Sequence, residues 1–287
     1  MRPYSRVYAT VNLDAVASNM KSMRENLPAS TLIMGSVKAD GYGHGSVPIA
    51  KTIDPYVFGY AVATIDEGII LRRHGINKTI LILGVTHESQ YEELLRYNIR
   101  TAMFQYEKAK KLSDLAVKQG KKAVVHLALD TGMSRIGMKA DREHAKEAAS
   151  IAALEGIEVE GLFTHFARAD ETDKSAYEEQ YRRYKEFLGY LEELGVQIPI
   201  RHCSNSAGIV ESLESNHMDM VRAGIAIYGM YPSDEVDHNS VKLTPAMEIK
   251  SCITYIKEIG AGTAVSYGGT FVADHTMKVA TIPVGYG

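Results

Sequence analysis

At 287 residues the chain is too long for one small domain and can bury a sizeable core, so a large α/β domain with a smaller companion is the first expectation. A formal net charge of −3, with Lys and Arg spread through the predicted helices, removes the electrostatic case for nucleic acid, and no apolar run is long enough to span a bilayer. That leaves a small-molecule partner, and the 2 cysteines, Cys203 and Cys252, which are far apart and lack zinc or disulfide-framework spacing, point to a reducing, cytoplasmic compartment.

Met1 to Arg6 leads into a strand rather than a signal-peptide core, and residues 7–11 alternate loosely as that strand. Asn12, Leu13 and Asp14 then open an amphipathic helix running to Glu25. From there strand and helix alternate. Strands are expected at 32–38, 56–61, 79–84, 100–103, 124–129, 159–164, 200–204 and 220–222, with helices at 65–74, 88–97, 105–119, 141–152 and 175–194. Eight units of this length fit a (β/α)8 TIM-type barrel better than an open sheet, and the residues able to carry chemistry fall at strand C-terminal ends, the face on which such barrels build sites. A turn-rich polar break at 231–239 divides the chain into an expected barrel, 1–238, and a mainly β C-terminal domain, 239–287, with strands at 245–257, 264–272 and 277–284. The sequence stops at Val284, Gly285, Tyr286 and Gly287, inside what should be another strand and turn. The β domain is therefore expected to be incomplete, with an unpaired edge that leaves it unstable alone.

The most informative stretch is 36–45, where an apolar strand runs into a glycine-punctuated turn. Lys38 follows a run that suits burial on both faces, where an ammonium is costly unless paired or deprotonated, the setting of a Schiff-base lysine. Gly41, Gly43 and Gly45 permit positive φ or close backbone approach around a phosphate or a flat ring. Taken alone, Lys38 would read as a strand-end lysine snorkelling to water beside a tight turn.

Val37-Lys38-Ala39-Asp40-Gly41-Tyr42-Gly43-His44-Gly45 resembles the pyridoxal-phosphate attachment motif of the alanine racemase family, and the resemblance extends to the last residue. It implies that Lys38 carries pyridoxal 5'-phosphate as an imine, with Tyr42 among the cofactor-binding residues. Arg135, in Asp130-Thr131-Gly132-Met133-Ser134-Arg135, matches an arginine that bonds the cofactor's phenolate and the substrate carboxylate, a role suited to a guanidinium fork. Its plain alternative is an arginine paired with Asp130 to close a turn. Two residues before that aspartate the family often has a lysine that becomes carbamylated and orients the arginine. Here the residue is Ala128, so a chloride or a different geometry is expected instead.

His165 resembles the family's histidine against the pyridine ring, and His202 one that bonds the ring-nitrogen arginine. Asn205 and Ser206 open a short helix whose free N–H groups would seat the phosphate, or serve as an ordinary N-cap. In Val221-Arg222-Ala223-Gly224-Ile225, Arg222 matches the arginine on the pyridine nitrogen, and the N–H groups of Gly224 and Ile225 complete the phosphate site. A permanently cationic arginine there leaves the ring nitrogen largely unprotonated, a weaker electron sink that suits racemisation over transamination. Tyr267, in Val265-Ser266-Tyr267-Gly268-Gly269, matches the second catalytic base, which the family supplies from the partner subunit of a head-to-tail homodimer. Without the barrel motifs it would read as an exposed tyrosine of a Gly-rich hairpin. The family's Met-Asp segment at the substrate carboxylate and its late phosphate tyrosine fall past the last residue.

The expected function is a pyridoxal-phosphate-dependent amino-acid racemase interconverting L- and D-alanine with two bases, supplying D-alanine for peptidoglycan. A serine or broad-specificity racemase is the nearest alternative, since a pocket for a methyl rejects an added hydroxyl weakly. A non-catalytic carrier of the cofactor on the same barrel would need neither Tyr267 nor the β domain. A Schiff-base aldolase would lack the pyridoxal chromophore.

Overall fold

In the computed structural model, which describes residues 6–285, strand β1 (Val7–Val11) precedes helix α1 (Leu13–Glu25). Strands β2 (Leu32–Ser36), β3 (Gly59–Val62), β4 (Thr79–Ile82), β5 (Arg100–Met103), β6 (Ala123–Asp130), the two-residue β7 (Met138–Lys139), β8 (Ile157–Phe163), β9 (Ile200–His202) and β10 (Met220–Ala223) follow, alternating with helices. The expected lead-in Met1–Ser5 and the terminal Tyr286 and Gly287 lie outside the described residues. Eight strands pair in parallel in the order β10-β2-β3-β4-β5-β6-β8-β9, with β7 beside β6. At the remaining seam Arg222 N donates to Ser204 O at 2.9 Å, between β10 and the residues just past β9. This is the (β/α)8 barrel expected from the alternation.

The strands form because their residues can be buried on both faces, as parallel sheets require: all four residues of β3 are buried. Met34, Ala61, Leu81 and Met220 fill one level of the interior. Helices close over the outside where a cap and an apolar stripe coincide. Thr64 accepts from Glu67 N at the start of Ile65–Arg73, and Asp141 accepts from His144 N at the start of Arg142–Ala152. Expected boundaries hold to within a few residues except where a local turn intervenes. Asp54–Tyr56 is a 3-10 turn set by Pro55, which delays β3 to Gly59, and Glu88–Gln90 is another, which delays its helix to Tyr91. The helix Ser46–Ile53 is not among the expected ones; Pro48 lies within its first turn, where it removes no helical bond.

Leu13–Ala246 forms one compact unit, and the segments before Leu13 and after Ala246 belong to the other. In the second unit β1 pairs antiparallel with β11 (Met247–Ser251), β12 (Tyr255–Ile259) pairs with β15 (Met277–Thr281), and β13 (Ala264–Val265) pairs with β14 (Phe271–Val272). The strand expected over 245–257 is broken at 252–254. The one expected over 264–272 folds back as a hairpin, with Gly268 and Gly269 at φ 74° and 58° in its turn. No described helix is long and apolar enough to cross a membrane.

Candidate active site

Beyond β2 the backbone changes hand. The strand expected to reach Lys38 stops at Ser36, and Ala39, Asp40, Gly41, Tyr42 and Gly43 all have positive φ, between 50° and 81°, so the turn expected after Lys38 is one of left-handed helix. A left-handed conformation costs a residue with a Cβ about 1–2 kcal/mol, and Ala39, Asp40 and Tyr42 each have one. Gly41 N to Val37 O (2.9 Å), Gly43 N to Ala39 O (3.0 Å) and Gly45 N to Asp40 O (2.9 Å) hold the turn. Glu67 accepts from Ala39 N at 2.8 Å and from Ala63 N at 2.7 Å, while Asp40 accepts from Ser46 N at 2.7 Å. Backbone strain held by its surroundings is a mark of functional sites. Here it fixes the exit of Lys38, whose Nζ stands 5.8 Å from the Tyr42 ring centroid. The Tyr42 ring packs at 4.9 Å on Tyr228, whose hydroxyl donates to Ser36 O.

The loop after β6 carries Arg135. Asp130 Oδ1 accepts from Gly132 N and Ser134 N, both at 3.0 Å, so the aspartate closes the turn through backbone N–H groups and Arg135 does not bond it. A Cβ on Gly137 would lie 2.6 Å from Asp130 N, so the fold-back that carries Arg135 requires glycine. Ala128 is buried with Ala102 and Phe163 against Leu83 and Phe104, an apolar cluster where the resembling family often has a charge.

Arg222 on β10 is the best-connected side chain. Its Nη1 donates to His202 Nδ1 (2.8 Å) and His202 O (3.0 Å), and its Nη2 to Thr164 O (2.7 Å) and Cys203 O (3.0 Å). Burial brings its pKa down to about 10, which leaves it cationic at neutral pH. His165 Nδ1 lies 3.3 Å from Nη2. Burial, then the charges of Arg222, Arg135 and Lys38, push the His165 pKa down to about 3, so the ring is neutral. His202, fully buried beside Arg222, is held well below its ordinary value for the same reasons.

Asn205 caps the short helix Ser206–Val210 by accepting from Gly208 N, and its amide donates to Phe166 O. Ser206 Oγ accepts from Gly224 N at 2.9 Å and Ala226 N at 3.3 Å. A Cβ on Gly224 would sit 3.3 Å from the Tyr42 hydroxyl and 3.5 Å from Ser206 Oγ, so two hydroxyls and the N-terminus of the 3-10 turn Ile225–Tyr228 converge where this glycine leaves space. Such a set is suited to an anion, although the Gly224 N–H expected to be free for a phosphate is here given to Ser206 Oγ.

Lys38, Tyr42, His165, Asn205, Ser206, Arg222, Gly224 and Ile225 line one cavity of about 330 Å³, and Arg135 lines an adjoining one of about 60 Å³ that shares Lys38, His165 and Arg222. Three cations thus border the two spaces, against Asp170 in the larger. Tyr267 is not among them. It belongs to the other unit, on the turn after β13, and is 93% exposed. Sequence reasoning missed Glu67 and also Ser36, whose buried hydroxyl has no hydrogen-bond partner and lines the larger cavity. Neither had a local signal: Glu67 reaches Ala39 across 28 positions, and a serine inside a strand is ordinary.

The family model described as alanine racemase, N-terminal domain, matches residues 11–232, and that described as alanine racemase, C-terminal domain, matches 246–287. An alanine racemase of Desulforamulus reducens is 42% identical over 281 residues, spanning 98% of this chain and 76% of that protein. One of Clostridium perfringens is 43% identical over 281 residues, spanning 98% and 72%. The solved structure of an alanine racemase of Clostridium difficile 630 superposes with a TM-score of 0.93 at 40% identity, covering 99% of this chain and 75% of that one.

Proposed function

The chain belongs to the alanine racemase family and is an isomerase acting on amino acids, and on that footing we propose that it interconverts L- and D-alanine with pyridoxal 5'-phosphate held in the barrel cavity. The D-alanine would serve cell-wall peptidoglycan, in the cytoplasm, where the unpaired Cys203 and Cys252 are at home. The observation that carries this reading is the pairing of Lys38, free of any ion pair among the described residues, with the anion seat formed by Tyr42, Ser206, Gly224 and Ile225 across the same cavity. The donor set fits the cofactor: hydroxyls and N–H groups suit its phosphate, the unpaired Ser36 hydroxyl offers a further contact, and cations suit its phenolate.

When bound, the cofactor supplies an aldehyde for Lys38 and a ring that withdraws charge from the substrate's Cα. We assign Arg135 to the phenolate and the substrate carboxylate, His165 to one side of the ring, and Arg222, backed by His202, to the ring nitrogen. Lys38 moves a proton at one face of Cα and Tyr267 at the other, because racemisation needs an acid/base group on each. Tyr267 would come from the C-terminal segment of a second copy in a head-to-tail homodimer, its 93% exposure leaving the hydroxyl available to a partner. The test is borohydride reduction of protein incubated with the cofactor, followed by mass mapping and by assay of D/L interconversion of alanine and serine. An adduct on Lys38 and racemisation of alanine are expected; an adduct on another lysine overturns the assignment.

A further inference from the structure

The bonds of Arg222 go to three carbonyls and to imidazole nitrogens, and among the described residues no carboxylate touches it. A buried guanidinium without a counterion is costly. Beyond His202 the contacts continue: His202 Nε2 lies 2.8 Å from His126 Nδ1, His126 Nε2 lies 3.0 Å from Glu160 Oε2, and Arg100 Nε and Nη2 each reach a Glu160 oxygen at 3.2 Å. β5, β6, β8, β9 and β10, neighbours in the barrel, supply one residue apiece. We propose that Glu160, clamped by Arg100, is a positioning residue for Arg222 that acts through His126 and His202.

The direction of the chain follows from what each group can do. Arginine only donates and a carboxylate only accepts. Burial keeps both rings neutral, outweighing at His126 the pull of Glu160 and at His202 reinforced by the charge of Arg222. Each ring then has one proton, and one arrangement satisfies every contact. Arg222 donates to His202 Nδ1, His202 Nε2–H to His126 Nδ1, and His126 Nε2–H to Glu160. Reversed, two protons would meet at Arg222 and two lone pairs at Glu160. The chain therefore fixes the plane of the guanidinium and spreads the carboxylate's charge toward it.

The barrel is shaped for this chain. Val125 pairs with Val159 but His126 pairs with Gly161, so Glu160 is the extra residue of a bulge, a device that re-aims side chains. A Cβ on Gly161 would lie 2.4 Å from His126 Nδ1, so the ring requires glycine beside it. The two imidazoles meet edge-on with centroids 5.0 Å apart, and Phe163 stacks on His202 at 5.3 Å. Burial alone would raise the Glu160 pKa, but the bonds from His126 and Arg100 hold it at about 2. Other charges facing the chain are Arg72 near Arg100, and Arg135 and Lys38 near Arg222, where the neutral His165 also titrates.

The catalytic meaning rests on the assignment of Arg222 to the cofactor's ring nitrogen, so the test separates the two. In ¹⁵N-labelled protein both rings should remain neutral, with the proton on Nε2, from pH 5 to 9; a ring that titrates there or carries its proton on Nδ1 overturns the relay, with or without cofactor. In cofactor-loaded protein the pH midpoint of the visible absorbance should move down in Glu160→Gln, which makes the site more positive, and up in Arg100→Gln, which makes it more negative. Glu160→Asp, which keeps the charge, should leave the midpoint near that of the unmutated protein. Cofactor affinity should fall about tenfold in Glu160→Gln, the scale seen when outer partners of ligating histidines are removed. Midpoints unchanged in both variants overturn the proposal, and Arg100→Gln decides it if Glu160→Gln does not fold. Absence of cofactor uptake by the unmutated protein overturns the function while the imidazole protons still decide the relay.

Discussion

Lys38 and Tyr267 differ in what their removal does. On the roles proposed above, Lys38→Ala would take away a base and the cofactor anchor together, so exchange of the Cα proton should stop for both enantiomers. Tyr267→Phe leaves the anchor and should suppress exchange from L-alanine far more than from D-alanine; equal loss, measured by deuterium incorporation, contradicts the two-base reading. Gly224 offers a second test of the anion seat: its φ of −123° with ψ of −110° lies outside the regions open to a residue with a Cβ, and an added Cβ would meet the Tyr42 and Ser206 hydroxyls at 3.3 and 3.5 Å. Gly224→Ala should cost about 1–3 kcal/mol of stability in backbone strain and weaken cofactor binding by about tenfold. Equal affinity in a fluorescence titration would place the phosphate elsewhere. Lys38 and Arg222 could be picked from the sequence because their neighbours form long specific runs. Glu160 could not, since its partners His126 and Arg100 are 34 and 60 positions away and its aim depends on a bulge.

The left-handed turn after β2 is the element on which the site depends. The glycines at 41, 43 and 45 announced positive φ, but not that Ala39, Asp40 and Tyr42 would share it. That follows only when Glu67, from the helix Ile65–Arg73, binds both Ala39 N and Ala63 N. Glu67→Ala removes two bonds to a charged acceptor, each worth about 1.5–3 kcal/mol when fully formed. With Glu67 only half-buried, a combined loss of about 1.5–3 kcal/mol is expected in urea denaturation. The exposed neighbour Asp66→Ala should cost under about 0.5 kcal/mol. Cofactor affinity should fall with Glu67→Ala, because the strained turn relaxes first; unchanged affinity would mean that the turn stands without it.

At the scale of the molecule, acid should unfold the barrel through its neutral histidines. His165 titrates near 3 when folded against an ordinary 6.5, so between these values the unfolded chain binds a proton that the folded one does not. Stability therefore falls as pH drops from 6.5 toward 3, by up to about 1.4 kcal/mol per pH unit per histidine. His126 and His202, also lowered by burial, act in the same direction. Below its ordinary 4.5 Glu160 adds the same sign, its contribution being lost as pH falls toward about 2. Denaturant midpoints should decline steadily from pH 7 to pH 4, and His165→Gln should flatten the curve. A midpoint constant from pH 7 to pH 5 would refute the burial of these rings as neutral species.

The sequence by itself determined the alternation of strand and helix, the eight barrel strands and the runs around Lys38, Arg135 and Arg222, because hydrophobic period, turn residues and short motifs are properties of neighbours in the chain. Tertiary structure alone decided three things. β1 joins β11 across more than two hundred residues and not the barrel, since strand pairing is a contact that no local pattern encodes. Asp130 spends its carboxylate on the backbone and leaves Arg135 to the cavity, a choice made by the loop's geometry. The chain from Arg222 through two imidazoles ends on Glu160 of another strand, because in a closed barrel alignment across strands, set by register and a single bulge, brings distant groups into one line.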